Sequence, residues 1–194
     1  PRIAPIKAII IPIGDSDKVN DALKEITEDL KDSLITYKID NSNKTPGFKF
    51  AEAEVKGYPV RIEVGKRDLE DNVVTIVRRD TLEKIKVPKE EAVMKVNELL
   101  INIQNDMYER ALKRRNSMIY EASNYEEMTK IAKEKPGFIF TNWCGNEACE
   151  NKIKDDLGLK SRCIPFEGAE PDGDKTCVCC GKKAATKIYW AKQY

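Results

Sequence analysis

All six cysteines of this chain lie between positions 144 and 180, and five of them form two tight groups. Cys144-Gly145-Asn146-Glu147-Ala148-Cys149 spaces one pair by four residues, and Cys177-Val178-Cys179-Cys180-Gly181-Lys182 places three more thiols 28 positions beyond Cys149. A tetrahedral zinc takes four soft ligands delivered as two pairs. A Cys-x2-Cys-Gly turn suits one pair, because glycine lets the chain fold under the metal. The first pair is wider, and fits a loop leading into a helix whose N-terminus favours thiolate at Cys149. The expected ligands are Cys144, Cys149, Cys177 and Cys180, with Cys179 spare, although Cys177 with Cys179 is also a possible pair. Cys163, between Arg162 and Ile164 on an expected strand, reads as a small buried apolar residue. Disulfides and free thiols are the competing readings. Three cysteines within four residues, in a chain of intracellular composition, suit metal better. Four thiolates close the coordination sphere, so the expected Zn²⁺ is structural.

With 194 residues the chain is long enough for one large domain or two small ones. Its 34 basic and 33 acidic residues balance, which argues against an extended DNA-binding surface. No apolar run approaches the roughly 20 residues of a membrane span. No signal peptide is visible, and the beginning at Pro1 reads as a cut within a longer, cytoplasmic chain. Histidine is absent, which removes the commonest general base and metal nitrogen ligand.

Along the chain, Ile6–Ile13 reads as a buried strand. Val19, Ala22, Leu23, Ile26 and Leu30 make an amphipathic helix after the caps offered by Asp15–Asp17. Strands are expected at Leu34–Ile39, Val60–Val64, Val73–Val77 and Lys84–Val87, with a short helix over Phe50–Lys56 that stops at Gly57. Glu70-Asp71-Asn72 reads as a turn. A long helix is expected from Pro88 to about Ala122. Strands alternating with helices predict an α/β fold, a mixed sheet flanked by helices. Beyond a boundary between Tyr120 and Tyr125 the expected elements are a helix to Lys133, a strand at Phe138–Phe140 and a closing strand at Lys187–Ala191. This makes a small α+β zinc-binding domain.

The stretch Thr45–Asp80 holds aromatics, carboxylates and cations on short elements. In Val60-Arg61-Ile62-Glu63-Val64 the alternation buries one strand face and leaves opposite charges on the other. Alone, this reads as a solvated strand face beside a turn.

Set in order, Pro1-Arg2-Ile3-Ala4-Pro5-Ile6, Thr45-Pro46-Gly47-Phe48-Lys49-Phe50, Val60-Arg61-Ile62-Glu63-Val64-Gly65-Lys66-Arg67-Asp68-Leu69 and Val77-Arg78-Arg79-Asp80-Thr81 resemble the C-terminal half of archaeal/eukaryotic-type prolyl-tRNA synthetases. Phe140–Cys149, Cys163-Ile164-Pro165-Phe166 and the Cys177–Lys182 knuckle continue the resemblance to the chain's end. The resemblance implies a class IIa anticodon-binding domain at residues 1–100, a connecting helix at 101–124 and a zinc-binding domain at 125–194. It implies recognition of proline tRNA through the two guanines of an NGG anticodon. The ATP- and Mg²⁺-dependent catalytic domain, through which the family dimerises, lies outside this chain. A free-standing tRNA-binding or assembly module is the alternative. A redox role for the cysteines lacks the thioredoxin-like βαβ context.

In an unstacked loop, guanine N1–H and N2–H₂ donate to a carboxylate, and O6 and N7 accept from Arg or Lys. The resemblance assigns Phe50 to stack on a base, Glu54 to accept from guanine, and Arg61, Arg67 and Lys84 to contact guanine or phosphate. The family has Gly where Leu82 stands, which leaves the register at Lys84 open by one residue. It often has Pro at Lys66, so Lys66 competes with Arg67. Glu54 and Arg61 pairing only with each other, and Phe50 serving as core, are the structural alternatives. Arg78–Asp80 reads as a packing element, and Lys113-Arg114-Arg115 as a solvated run. Tyr194 resembles the family's terminal tyrosine, which tucks its carboxylate towards the active site.

Overall fold

The computed structural model describes residues 1–193, so the expectation for Tyr194 lies outside the described residues. The chain divides into two compact units, Pro1–Glu109 and the part from Arg110 onward.

In the first unit, strand β1 (Ala8–Ile13) leads to helix α1 (Asp17–Asp32), whose N-cap Ser16 accepts a hydrogen bond from the Val19 N–H. Strand β2 (Tyr37–Ile39) and helix α2 (Pro46–Lys56) follow, then β3 (Val60–Gly65), a short α3 (Lys66–Glu70), β4 (Val73–Arg78) and β5 (Lys84–Pro88). A single helical turn at Lys89–Glu91 enters the long helix α4 (Ala92–Ser117). The sheet runs β2-β1-β3-β4-β5, with β2, β1 and β3 parallel and β4 and β5 antiparallel. This is the expected mixed sheet.

Its two faces differ because side chains alternate along every strand. One face presents Ala8, Ile10, Val60, Ile62, Val64, Val74 and Ile76 to the apolar stripes of α1 and α4, Val96, Leu99 and Ile103 among them. On the other face, register aligns two rows across the strands. Lys38, Ile9, Arg61, Val77 and Lys84 form one; Ile11, Glu63, Thr75 and Lys86 form the next. Helix α2 covers the apolar end of these rows through Ala53, with Phe50 and Tyr58 packed beside Ile9 and Ile11.

That coverage corrects the reading of β3. Its charged face is not solvated: Arg61 and Glu63 are each 6% exposed. Alternation shows which residues share a face, but α2 comes over that face through tertiary packing, which period-two patterning does not encode. Three boundaries also moved. Helix α2 begins at Pro46, because proline's fixed φ suits the first helical position after Thr45. Leu34 belongs to the end of α1, not to a strand. It adopts φ 55° while the Ile35 N–H reaches back to the Leu30 carbonyl. Helix α3 takes Glu70, so the expected turn is reduced to Asp71 and Asn72.

The second unit holds β6 (Ile119–Glu121), α5 (Tyr125–Glu134), β7 (Phe138–Trp143), α6 (Glu147–Leu157), β8 (Leu159–Ser161) and β9 (Thr186–Lys192). The sheet order is β6-β7-β9-β8, β6 parallel to β7 and the others antiparallel. Met128, Ile139, Ile153, Ile188 and Trp190 make its core. Residues 119–121, expected to end the long helix, instead pair with β7, and the Phe138 N–H donates to the Met118 carbonyl. Cys163 lies past β8 and is exposed, which overturns the buried reading. Flanking apolar residues misled there, since Ile164 and Phe166 are themselves exposed.

Candidate nucleic-acid interface and metal centre

The charged side chains of the first unit's second face converge on Arg61. Its Nε donates to Glu63 Oε1 at 3.0 Å and its Nη1 to Glu54 Oε1 at 2.9 Å. Nη1 also reaches the Phe50 carbonyl at 3.4 Å. The guanidinium lies 4.4 Å from the centre of the Phe50 ring, within cation–π range. Phe50 and Glu54 come from consecutive turns of α2, so the four-residue spacing aims both at β3. Lys84, on the neighbouring β5, lies 3.7 Å from Glu63 Oε1 and 5.6 Å from the Phe50 ring.

Four of the five residues expected to meet RNA are therefore brought together: Phe50, Glu54, Arg61 and Lys84. Glu54 and Arg61 do pair with each other, yet Glu54 remains 41% exposed at the side chain, so its carboxylate faces solvent while holding Arg61. Lys84 is 57% exposed. Arg67 is exposed on α3, as is Lys66, with no contact to this cluster among the described residues.

Two further features depart from the sequence expectation, in which Arg79 belongs with Arg78 and Asp80 to a packing element. Arg79 is exposed and donates from Nε to the Glu54 carbonyl at 2.9 Å, so it borders the cluster. Beyond α2 lies an open cleft of about 310 Å³ whose lining includes Lys38, Lys44, Lys56 and Tyr58. Lys44 and Lys56 both pair with Glu52 at 2.8 Å, and these pairs hold that carboxyl below its ordinary range. The only signal for the cleft was the density of lysines around Pro46–Lys56. The neighbouring Arg78 packs inward: it binds both oxygens of Asp80, at 2.6 and 2.9 Å, and also Asp106 of α4. Lys113, Arg114 and Arg115 are exposed.

In the second unit, Cys144, Cys149, Cys177 and Cys180 bring their sulfur atoms within 4.8 Å of one another. Cys144 lies 3.6 Å from Cys149 and 3.8 Å from Cys180. With Zn–S bonds of about 2.3 Å, tetrahedral geometry puts sulfurs about 3.8 Å apart, so the cage has the size of a zinc site. Local structure explains the delivery. Cys149 enters on the first turn of α6, capped by Asn146. Cys177 and Cys180 bracket a tight turn in which the Cys177 N–H donates to the Lys182 carbonyl and the Gly181 N–H to the Cys177 carbonyl. Gly181 there adopts φ 68°, a conformation glycine takes at no steric cost. Burial pushes the Cys144 and Cys149 thiols up, whereas the Lys182 N–H donating to Cys180 pulls its thiol down to about 7. A divalent cation held by these four sulfurs would supply the charge that ionises this pair. Cys179 packs into the core beside this cage.

Known proteins match this arrangement over the whole chain. A family model described as "Anticodon binding domain" matches residues 7–99, and one described as "Prolyl-tRNA synthetase, C-terminal" matches residues 125–194. A proline–tRNA ligase of Clostridium botulinum (strain Loch Maree / Type A3) is 47% identical over 195 residues, which cover 100% of this chain and 40% of that protein. The proline–tRNA ligase of Agathobacter rectalis is 48% identical over 197 residues, with the same coverage. A crystal structure of prolyl-tRNA synthetase from Cryptosporidium parvum, complexed with halofuginone and AMPPNP, superposes with a TM-score of 0.91 at 32% identity, covering 100% of this chain and 41% of that one. The chain thus spans about two fifths of the length of these relatives. It belongs to the prolyl-tRNA synthetase family, and carries that family's anticodon-binding and C-terminal domains.

Proposed function

We propose that this chain is the tRNA-recognition part of a class II proline–tRNA ligase, and that it reads the guanines of an NGG anticodon. The observation that carries this reading is the cluster Phe50–Glu54–Arg61–Lys84 within the matched anticodon-binding domain. Glu54 accepts from guanine N1 and N2, while Arg61 and Lys84 face O6, N7 or phosphate. Phe50 offers an aromatic surface to a base. Arg67 and Arg79 supply peripheral contacts to phosphate.

Residues 1–100 hold the RNA, 101–124 connect, and 125–194 form a lobe tied by structural Zn²⁺ on Cys144, Cys149, Cys177 and Cys180. In the full-length protein, proline activation with ATP and Mg²⁺ belongs to a catalytic domain outside this chain, which also serves as its docking partner and as the dimer contact. The partner is a tRNA, in the cytoplasm, not DNA or a membrane; among the described residues no helix is long and apolar enough to cross a membrane.

Glu54→Gln and Arg61→Ala are expected to weaken binding of a proline anticodon stem-loop by about tenfold to a hundredfold, since one bidentate base contact contributes about 1–3 kcal/mol. Unchanged binding measured by fluorescence anisotropy in either variant rejects the assigned role. Elemental analysis of the reduced protein is expected to return about one zinc per chain.

A further inference from the structure

Glu63 is a buried charge for which the reading above has no use. Its side chain is 8% exposed on a central strand, between Ile11 on β1 and Thr75 on β4 in register. Burying a carboxylate is strongly unfavourable unless it is paired. This one also places negative charge behind a surface that is to meet a polyanion. Its contacts account for it. Glu63 Oε1 takes the Nε–H of Arg61 and lies within 3.7 Å of Lys84 Nζ. With Nε fixed and the Phe50 ring under the guanidinium, Nη1 meets Glu54 Oε1 in one geometry. Among the described residues no hydrogen bond occupies Arg61 Nη2 or Glu54 Oε2. The ion pair thus keeps one guanidinium donor group and one carboxylate oxygen, the chemical complement of guanine's O6 and N1–H edge.

We propose that Glu63 is a positioning residue for guanine recognition: it locks the Arg61 fork so that Arg61 and Glu54 present a fixed donor–acceptor pair, and it restrains Lys84 beside them. The proposal rests on the anticodon-reading function above. Ordering the supporting shell lowers the cost of binding without touching the ligand.

Charge and position predict opposite signs for Glu63→Gln, which separates them. If Glu63 were only a negative charge near RNA, its neutralisation would tighten binding to any stem-loop. A positioning role predicts that affinity for the NGG stem-loop falls about tenfold while a loop with both guanines changed to adenine binds as before or better. The experiment titrates the 194-residue chain and its variants against both stem-loops, with melting curves to verify folding. In an Arg61→Ala background, Glu63→Gln is expected to cause a much smaller loss, because it acts chiefly through Arg61 and only Lys84 remains for it to restrain. A parent chain without guanine preference overturns the anticodon reading, and this proposal with it. A parent with that preference and a Glu63→Gln variant that keeps it overturns the positioning role alone. A Glu63→Gln effect that persists undiminished without Arg61 also overturns it. Should Glu63→Gln fail to fold, Glu63→Asp, which keeps the charge and shortens its reach, is held to the same outcomes.

Discussion

At the scale of single residues, charge burial decides most of what matters. Arg78 is 7% exposed and joins Asp80 on its own segment to Asp106 on α4. Its hydrogen bonds to Asp80 and then Asp106 raise its pKa further above the arginine range. Truncation removes the buried guanidinium and its hydrogen bonds to Asp80 and Asp106, so Arg78→Ala is expected to cost about 3 kcal/mol, measured by urea unfolding of the first unit. Leu82 carries a different stress: it adopts φ 60°, where a side chain crowds the backbone. Leu82→Ile is expected to lose about 1–2 kcal/mol, whereas Leu82→Gly holds or gains stability in the same measurement. Glycine, which the resemblance implies at this position, is the residue that takes φ 60° at no steric cost. The grouping of Phe50, Glu54 and Arg61 was legible from family likeness alone. The burial of Glu63 was not, because alternating patterns assign a face and do not say what covers it.

At the scale of elements, the clearest lesson is β6. Residues 119–121 extend a helical pattern, yet they form a strand because β7 offers a parallel ladder at Ile119–Phe138 and Tyr120–Ile139. Tertiary pairing overrides local propensity there. The junction depends on Gly137, whose φ is 134°; a Cβ built there would fall 2.2 Å from the Met118 carbonyl oxygen. No side chain moves out of such a contact, so the backbone must shift. Gly137→Ala is expected to destabilise the second unit by about 2 kcal/mol or more, seen as a red shift of its tryptophan emission at a lower temperature than in the parent. By contrast α1 and the extent of β3 were readable, because caps and apolar periodicity agreed with the final packing, whereas only the Gly57 end of α2 was.

For the molecule as a whole, two units mean two stabilities to measure. Both tryptophans, Trp143 and Trp190, lie in the second unit, packed edge to face with centroids 6.1 Å apart. Chelation of the metal is expected to shift their emission to the red and to remove the part of the circular dichroism signal belonging to that unit. Acid acts more broadly. Hydrogen bonds from Lys86 to Asp68, from Lys44 to Glu52 and from Lys152 to Asp156 hold these carboxyl pKa values below their ordinary range. Their contribution is present above the unfolded value of about 4 and fades as pH falls through the lower folded values. Stability measured from pH 7 downward is therefore expected to hold until about pH 4 and then decline. The order of strands adds a constraint of another kind. β5 has a free edge, and an open ladder invites strand addition by another molecule. Lys84 and Lys86 charge that edge, so the lysine proposed to face RNA also helps keep the protein from self-association. Replacing both with valine would be expected to show first in concentrated solution, as light scattering, before any change in the melting curve. The same two charges would thus serve solubility as well as the proposed recognition.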